Sequence, residues 1–333
     1  MRAIILNRYG NESVLQYVKS IPIPFFKEDE VLIEMKAASL NPIDWKIMNG
    51  KTRLILPYKF PLILGNDGSG VIVEVGKNCT RLKKGDEVFF RPSKTKIGTL
   101  AQFISVNESE VSLKPRNLNF VEAAALPLVG LTCFQSLFKI GKINSNTKVF
   151  INGGSGGVGT FAIQFAKAYG AYVATTCSSK NSSLVRKMGA DLVIDYTKEN
   201  FWNKLKNYDV AFDCVGGKSL DFCFQVLKEK GKVISIATIP SRTSLKNFHL
   251  SKMKLFLIDL LNLKYKHLSK KYNVEYHYHF MNSSAEQLQV IKNLVESGKI
   301  HPVIDKVYAL TQSKSAFTYL QTGRARGKII ITI

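Results

Sequence analysis

Val149-Phe150-Ile151-Asn152-Gly153-Gly154-Ser155-Gly156-Gly157-Val158-Gly159-Thr160-Phe161-Ala162-Ile163-Gln164 decides the fold of this chain. The short apolar run at its start predicts a buried parallel strand. The amphipathic run through Phe161, Ala162, Phe165 and Ala168 predicts a helix. Between them, Gly154, Gly156 and Gly159 fit G-x-G-x-x-G. One glycine permits the tight turn, one lets backbone approach a pyrophosphate, and one lets helix and strand pack closely. The N–H groups that open the helix then face the phosphates. A second strand, Ala171 to Thr176, follows, and that context turns a common glycine loop into a dinucleotide-binding expectation.

The residues after the second strand choose the dinucleotide. A site for NAD places an acidic residue there to bond the ribose hydroxyls. This chain has Cys177-Ser178-Ser179-Lys180-Asn181. Two hydroxyls and a lysine suit a 2′-phosphate, so NADPH is the expected cofactor; a solvated polar loop is the competing reading.

Working outward, 333 residues are enough for two domains with cores. No run of about 18 apolar residues marks a membrane span. Met1-Arg2-Ala3-Ile4-Ile5-Leu6 already reads as a strand, so no leader segment is expected and a cytoplasmic protein is. Five cysteines without a C-x-x-C pair fit a reducing compartment. The formal charge of +22 would draw polyanions such as nucleic acid, anionic lipid or the cofactor's own phosphates. The basic residues are spread along the chain with no Arg-rich arm or aromatic RNA-binding strand, so nucleic acid is disfavoured. A lysine-rich proteome bias accounts for the charge equally well.

Residues 1–122 read as β-rich, with short strands at Val31–Met35, Gly70–Val75, Glu87–Phe90 and Ala101–Ile104. This predicts a partly open, barrel-like β domain. Residues 123–282 alternate strand and helix, with later strands at Leu192–Tyr196, Val210–Val215, Lys232–Ile236 and Val274–Phe280, which predicts a doubly wound parallel sheet. Ligands bind beyond the carboxyl ends of such strands, which points to Tyr196, Val215 and Gly216. Residues 283–333 give a helix, a strand, a helix and a closing strand, expected to return to the first domain and leave an active cleft between the two.

The order of motifs resembles the medium-chain dehydrogenase/reductase superfamily along essentially the whole chain. Leu64-Gly65-Asn66-Asp67-Gly68-Ser69-Gly70-Val71-Ile72, Val75-Gly76, Lys84-Gly85-Asp86-Glu87-Val88, Gly130-Leu131-Thr132, Lys187-Met188-Gly189-Ala190-Asp191, Gly298 to Ile304 and Gly323 to Ile329 carry the resemblance. Within it, Asn41-Pro42-Ile43-Asp44 and Ser155 to Gln164 resemble the zinc-free quinone oxidoreductase branch, including the chloroplast-envelope and reticulon-interacting mitochondrial types. The resemblance implies a GroES-like first domain, a Rossmann second domain and a homodimer.

Zinc-dependent members of that superfamily place a cysteine near Asn41 and a histidine at Asn66. Neutral amides are poor zinc ligands, and Arg91 to Leu100 holds no cysteine for a structural zinc lobe. The histidines, His249, His267, His277, His279 and His301, lie late and lack ligand spacing, so no metal is expected. Without zinc, alcohol oxidation is disfavoured and reduction of a quinone or an α,β-unsaturated carbonyl is favoured.

The resemblance places Asn41, Asp44 and Lys46 at the reacting end. Asn41 would donate its amide N–H to a carbonyl oxygen, Lys46 would stabilise an enolate or quinol anion, and Asp44 would orient either. Ordinary turn chemistry is the plainer reading of Asn41-Pro42 with Asp44. Some quinone reductases of the branch carry tyrosine where Lys46 stands, and Tyr58 is a candidate replacement. The resemblance further implies Ser155, Gly157 and Val158, beside Gly156 of the motif, on the pyrophosphate, and Ser178 with Lys180 on the 2′-phosphate. It puts Tyr196 by the adenosine, Thr132 and Val215 by the nicotinamide, and adds Phe280 and Arg326 from late segments.

Lys252 to Lys271 is both apolar and basic. It suits peripheral contact with an anionic membrane, or a helix packed on the cleft or on a second subunit. The leading expectation is therefore an NADPH-dependent quinone or enone reductase. The rival is an NADPH-bound protein with little turnover whose basic surface meets RNA or membrane.

Overall fold

The computed structural model describes residues 1–333 except 246, 247 and 249. His249 lies outside the described residues. The chain divides into two compact units, Met1–Leu131 with Asn282–Ile333, and Thr132–Met281. Residues 123–131, which the sequence reading gave to the nucleotide domain, pack in the first unit. There Leu128 N donates to Asp67 Oδ1 at 2.7 Å, and Gly130 lies so close to Ile291 that a Cβ would meet its Cδ1 at 2.7 Å.

The first unit opens with β1 (Ala3–Leu6), β2 (Leu15–Val18), β3 (Glu30–Leu40), β4 (Leu62–Ile63), β5 (Asp67–Val75), β6 (Glu87–Phe90), β7 (Phe103–Asn107) and β8 (Val111–Leu113). The second unit holds β9 (Lys148–Asn152), β10 (Tyr172–Cys177), β11 (Leu192–Asp195), β12 (Tyr208–Asp213), β13 (Leu227–Ser235) and β14 (Glu275–Tyr278). The chain then returns to the first unit with β15 (Ile304–Ala309) and β16 (Lys328–Thr332).

In the first unit, β16 pairs antiparallel with β3, Ile331 opposite Ala38, and β3 pairs antiparallel with both β5 and β7. The seven-stranded sheet runs β15-β16-β3-β5-β6-β8 with β7 joined to β3 off that path, and β2-β1-β4 forms a smaller one. Apolar side chains from Ile33, Met35, Leu40, Met48, Phe90, Phe317 and Ile331 share one core. At the end of β3, Asn41 N donates to Asp44 Oδ2 at 2.7 Å, and Pro42 supplies a preset φ at the first helical position. The segment read as ordinary turn chemistry thus opens a helix, α1 (Pro42–Met48).

In the second unit, all six strands are parallel in the order β11-β10-β9-β12-β13-β14. The order reverses between β9 and β12, which is where an open parallel sheet leaves a crevice beyond its carboxyl ends. The helix predicted after the glycine cluster is α2 (Gly157–Ala168), whose residues Gly159 to Ala166 are buried. Lys252 to Lys271 forms two helices, α3 (Lys252–Leu261) and α4 (Leu263–Tyr272), joined at buried Asn262. Among the described residues no helix is long and apolar enough to cross a membrane.

Candidate functional site

The phosphate loop follows β9 in the second unit. Gly153 sits at φ +91°, the left-handed turn that starts the loop, and its N–H donates to Thr176 Oγ1 at 3.0 Å. Two of the motif glycines are required by packing. A Cβ on Gly154 would lie 2.1 Å from Thr175 Oγ1, and one on Gly159 would lie 2.2 Å from Gly153 O. Gly156 differs, since a Cβ there would meet only Gly153 O, at 3.9 Å. Open space therefore faces Gly156 and the first turn of α2, whose leading N–H groups have no intrahelical acceptor. Those N–H groups and the helix dipole form an anion cradle that fits a pyrophosphate.

A second observation fits the same ligand. Asn181 Nδ2 donates to Ser155 Oγ at 3.1 Å, tying the loop to the turn after β10. Asn181 Oδ1 is buried with no hydrogen-bond partner among the described residues, an acceptor that a ribose hydroxyl would satisfy. Ser178 and Lys180 lie on that turn, Ser178 half-buried and Lys180 exposed. Tyr196 and Val215 stand 62% and 56% exposed beyond the carboxyl ends of β11 and β12, the side on which an open parallel sheet binds its ligand. Thr132 is buried in the helix Pro127–Cys133, and the Phe280 ring packs edge-on against Phe248.

Two residues of this unit escaped the sequence reading. Asp213 is fully buried at the end of β12 and accepts from Asn152 Nδ2 at 2.8 Å, Ser235 Oγ at 2.8 Å, Val215 N at 3.2 Å and Gly216 N at 3.1 Å. It pins the carboxyl ends of β9, β12 and β13 together and fixes the Val215 loop. Asp195, at the end of β11, accepts from the hydroxyls of Ser179 and Thr197, which hold its carboxyl down to about 2. Cys177 to Asn181 itself carries no carboxylate, but parallel pairing of Cys177 with Asp195 brings one in from the next strand.

The first unit carries a buried polar cluster. Asn41, Asp44, Asn66, Asp67, Arg91 and Lys328 are each no more than 4% exposed. Asp67 Oδ2 accepts from Ser39 Oγ at 2.7 Å, Asn41 Nδ2 at 2.9 Å and Lys328 Nζ at 3.1 Å. Lys328 Nζ also donates to Asn41 Oδ1. Asn66 Nδ2 donates to Asp44 Oδ1 at 2.7 Å, and Asn66 Oδ1 accepts from Arg91 Nη2 at 3.0 Å. Two carboxylates thus face two cations through two amides. Burial pushes the Asp44 carboxyl up to about 6, against the pull of the donors from Asn66 and Asn41.

This geometry alters the roles expected of the catalytic candidates. Asn41 Nδ2 donates to Asp67 and, at 3.4 Å, to Ser39 O, so both amide protons expected for a substrate carbonyl are already engaged. Asp44 braces the start of α1 and Asn66, with no direct contact to Lys46 or a substrate implied by its bonds. Lys46 is half-buried one turn along α1, and its ammonium is lowered by burial and then by Lys51. Tyr58 donates its hydroxyl to Lys94 O, and burial raises its pKa, which makes it a poor acid. Lys94, unremarked in the sequence, is lowered to about 8 by burial and by Arg91. Arg326 is exposed in the first unit. Among the described residues no three His, Cys, Asp or Glu side chains group as metal ligands.

The family described as Alcohol dehydrogenase GroES-like domain matches residues 27–116, and the one described as Zinc-binding dehydrogenase matches residues 188–331. NAD(P)H oxidoreductase RTN4IP1, mitochondrial, of Bos taurus is 37% identical, covering 100% of this chain and 89% of that protein. The NADPH-dependent alkenal/one oxidoreductase, chloroplastic, of Arabidopsis thaliana is 34% identical, covering 99% and 79%. Among solved structures, the quinone oxidoreductase from Coxiella burnetii superposes with a TM-score of 0.88 at 29% identity, covering 100% of this chain and 99% of that one.

Proposed function

Because the chain belongs to the medium-chain dehydrogenase/reductase superfamily, in its quinone oxidoreductase branch, we propose that it reduces quinones or α,β-unsaturated carbonyls with NADPH and without zinc. It is an oxidoreductase. The bound nicotinamide supplies the hydride. The chain's own residues bind and orient the dinucleotide and offer charge to the oxygen that becomes anionic.

The observation that carries the zinc-independent part is the position of Lys328 and Arg91. Each hydrogen-bonds one of the two asparagines that stand where zinc-dependent members keep their ligands. A divalent cation there would meet neutral amides where zinc needs thiolate or imidazole, beside two carboxylates already balanced by the Lys328 and Arg91 cations. For the cofactor we assign Ser155, Gly156, Gly157 and Val158 to the pyrophosphate, Ser178 and Lys180 to the 2′-phosphate, and Tyr196 to the adenosine. Thr132, Val215, Phe280 and Arg326 complete the assignment. Lys46 is our choice for the group that meets the developing oxyanion, a half-buried cation on α1 whose pKa is lowered by burial and then by Lys51. Asn41 and Asp44 act by holding that helix start in place. Five free cysteines suit a reducing compartment such as the cytoplasm.

The test is oxidation of NADPH and of NADH, followed at the reduced-nicotinamide absorbance, against quinones, enones and alcohols, with and without a chelator. The expected result is NADPH-preferring turnover of quinones or enones that ignores the chelator. Chelator-sensitive alcohol oxidation would overturn the zinc argument. Tight NADPH binding with no turnover on any acceptor would favour a nucleotide-bound binding protein instead.

A further inference from the structure

The outer face of α3 is apolar where a surface helix is ordinarily polar. Ile258 and Asn262 turn inward, 1% and 4% exposed, and Asn262 Nδ2 donates to Pro240 O at 3.1 Å. Met253, Phe256, Leu257 and Leu260 recur at i, i+3, i+4 and i+7, so they form one stripe, and they are 73%, 64%, 46% and 53% exposed. Leu261 and Leu263 extend it across the joint to α4. Single exposed leucines need no explanation, but neighbouring large apolar side chains on one helix pair mark an interaction surface.

The stripe has a basic rim. Lys252 and Lys254 lie at its start, and Lys264, Lys266, Lys270 and Lys271 follow on α4, where Lys264 is paired with Asp221. Asp259 is the one acid of the two helices, and Arg242 Nη2 and Lys266 Nζ bridge it at 2.6 and 3.8 Å. The face therefore offers apolar side chains inside a field of positive charge. A second copy of this chain would set the same lysines against each other in a protein already at +22. Nucleic acid would match the charge and leave Phe256 and Leu260 in water. An anionic bilayer satisfies both, taking the stripe into the acyl boundary and the lysines among phosphate headgroups. At ten residues α3 is about 15 Å long, which suits a helix lying in the interface plane.

We propose that α3 and α4 bind the surface of an anionic lipid bilayer. The test is co-sedimentation of the full chain with vesicles of phosphatidylcholine alone and of phosphatidylcholine mixed with phosphatidylglycerol, at low and high salt. The expected result is binding to the mixed vesicles that weakens steeply with salt. The double variant Phe256→Ser, Leu260→Ser should lower partitioning on the order of a hundredfold. The double variant Lys252→Ala, Lys270→Ala should lower it on the order of tenfold. Equal binding to neutral vesicles, or unchanged binding by both variants, overturns the proposal. So does a dimer, measured by light scattering, that the serine variant dissociates, because the face then belongs to a second copy. Should the serine variant unfold at a lower temperature, the lysine variant, changed only at exposed positions, decides the question alone. Reduction of a water-soluble quinone without vesicles reads the catalytic proposal separately, so either reading can fail while the other stands.

Discussion

Around Gly156 a Cβ would meet nothing nearer than 3.9 Å, whereas around Asn41 the backbone N–H, the carboxamide oxygen and both amide protons all have partners within 3.4 Å. The phosphate loop is built by keeping side chains out, and its donors are backbone groups that any glycine-rich turn before a helix supplies. The polar cluster is built by filling space with charges that cancel, and its donors are spent on each other. A ligand can enter the first without displacing protein bonds. Entering the second means breaking them. Substitutions should therefore surface as changed affinity in the loop and as changed stability in the cluster.

The strongest way to break this contrast is Lys328→Met. It leaves Asp67 buried without its cation, so the folded state should lose about 3–5 kcal/mol, measured by urea unfolding. Adding Asp67→Asn should return part of that loss, because the stranded charge is gone. A Lys328→Met protein as stable as the parent would mean that the cluster is not charge-balanced in the way described.

Next in size is the pH dependence carried by Asp44, whose carboxyl rises from an ordinary 3.8 to about 6 through burial. The folded protein holds this proton more tightly than the unfolded chain does. The stability it contributes is complete below about pH 4 and is lost as pH rises through about 6, on the order of 3 kcal/mol. The Asp44→Asn variant lacks this titration. The stability gap between parent and variant should thus shift against the parent between about pH 4 and 7; a gap that stays flat removes the argument.

Gly156→Ala sharpens the other side. The methyl has room in the protein and none once a pyrophosphate is bound, so the melting temperature should hold while cofactor affinity falls at least about tenfold by calorimetry. Gly159→Ala should instead lower the melting temperature, since its Cβ meets backbone at 2.2 Å. Equal behaviour of the two would erase the distinction between them. The smallest effect is expected at exposed Lys180, where Lys180→Ala should cut the preference for NADPH over NADH about fivefold, read as the ratio of kcat/KM values.

The same contrast governs what could be read without coordinates. The loop announces itself because its requirements are local: a strand, glycines at fixed spacing and a helix, all within Val149 to Gln164. The strands and the return of the last segment to the first unit followed from periodicity and motif order in the same way. The cluster assembles residues up to 287 positions apart, and no local pattern links Asn41 to Lys328. One signal was present, a lysine opening the otherwise apolar run Ile329-Ile330-Ile331, since a charge in a buried strand needs a partner. Asp195 was missed for a related reason. Its nearness to Ser179 comes from the register of two parallel strands, and register is not written in the turn itself.

The pairing of β16 with β3 has a consequence in time. In synthesis from the amino end, β3 is complete long before β16, and Lys328 emerges 287 residues after Asn41. At roughly 5–20 residues per second, that interval is on the order of 15–60 seconds. Throughout it, one edge of β3 and the carboxylate of Asp67 wait without their final neighbours, while the whole of the second unit is made and free to fold. The nucleotide unit can thus be finished while the sheet of the unit that surrounds it in sequence still lacks β15 and β16, and a chaperone that covers a nascent strand would find its longest opportunity at Ala37 to Leu40.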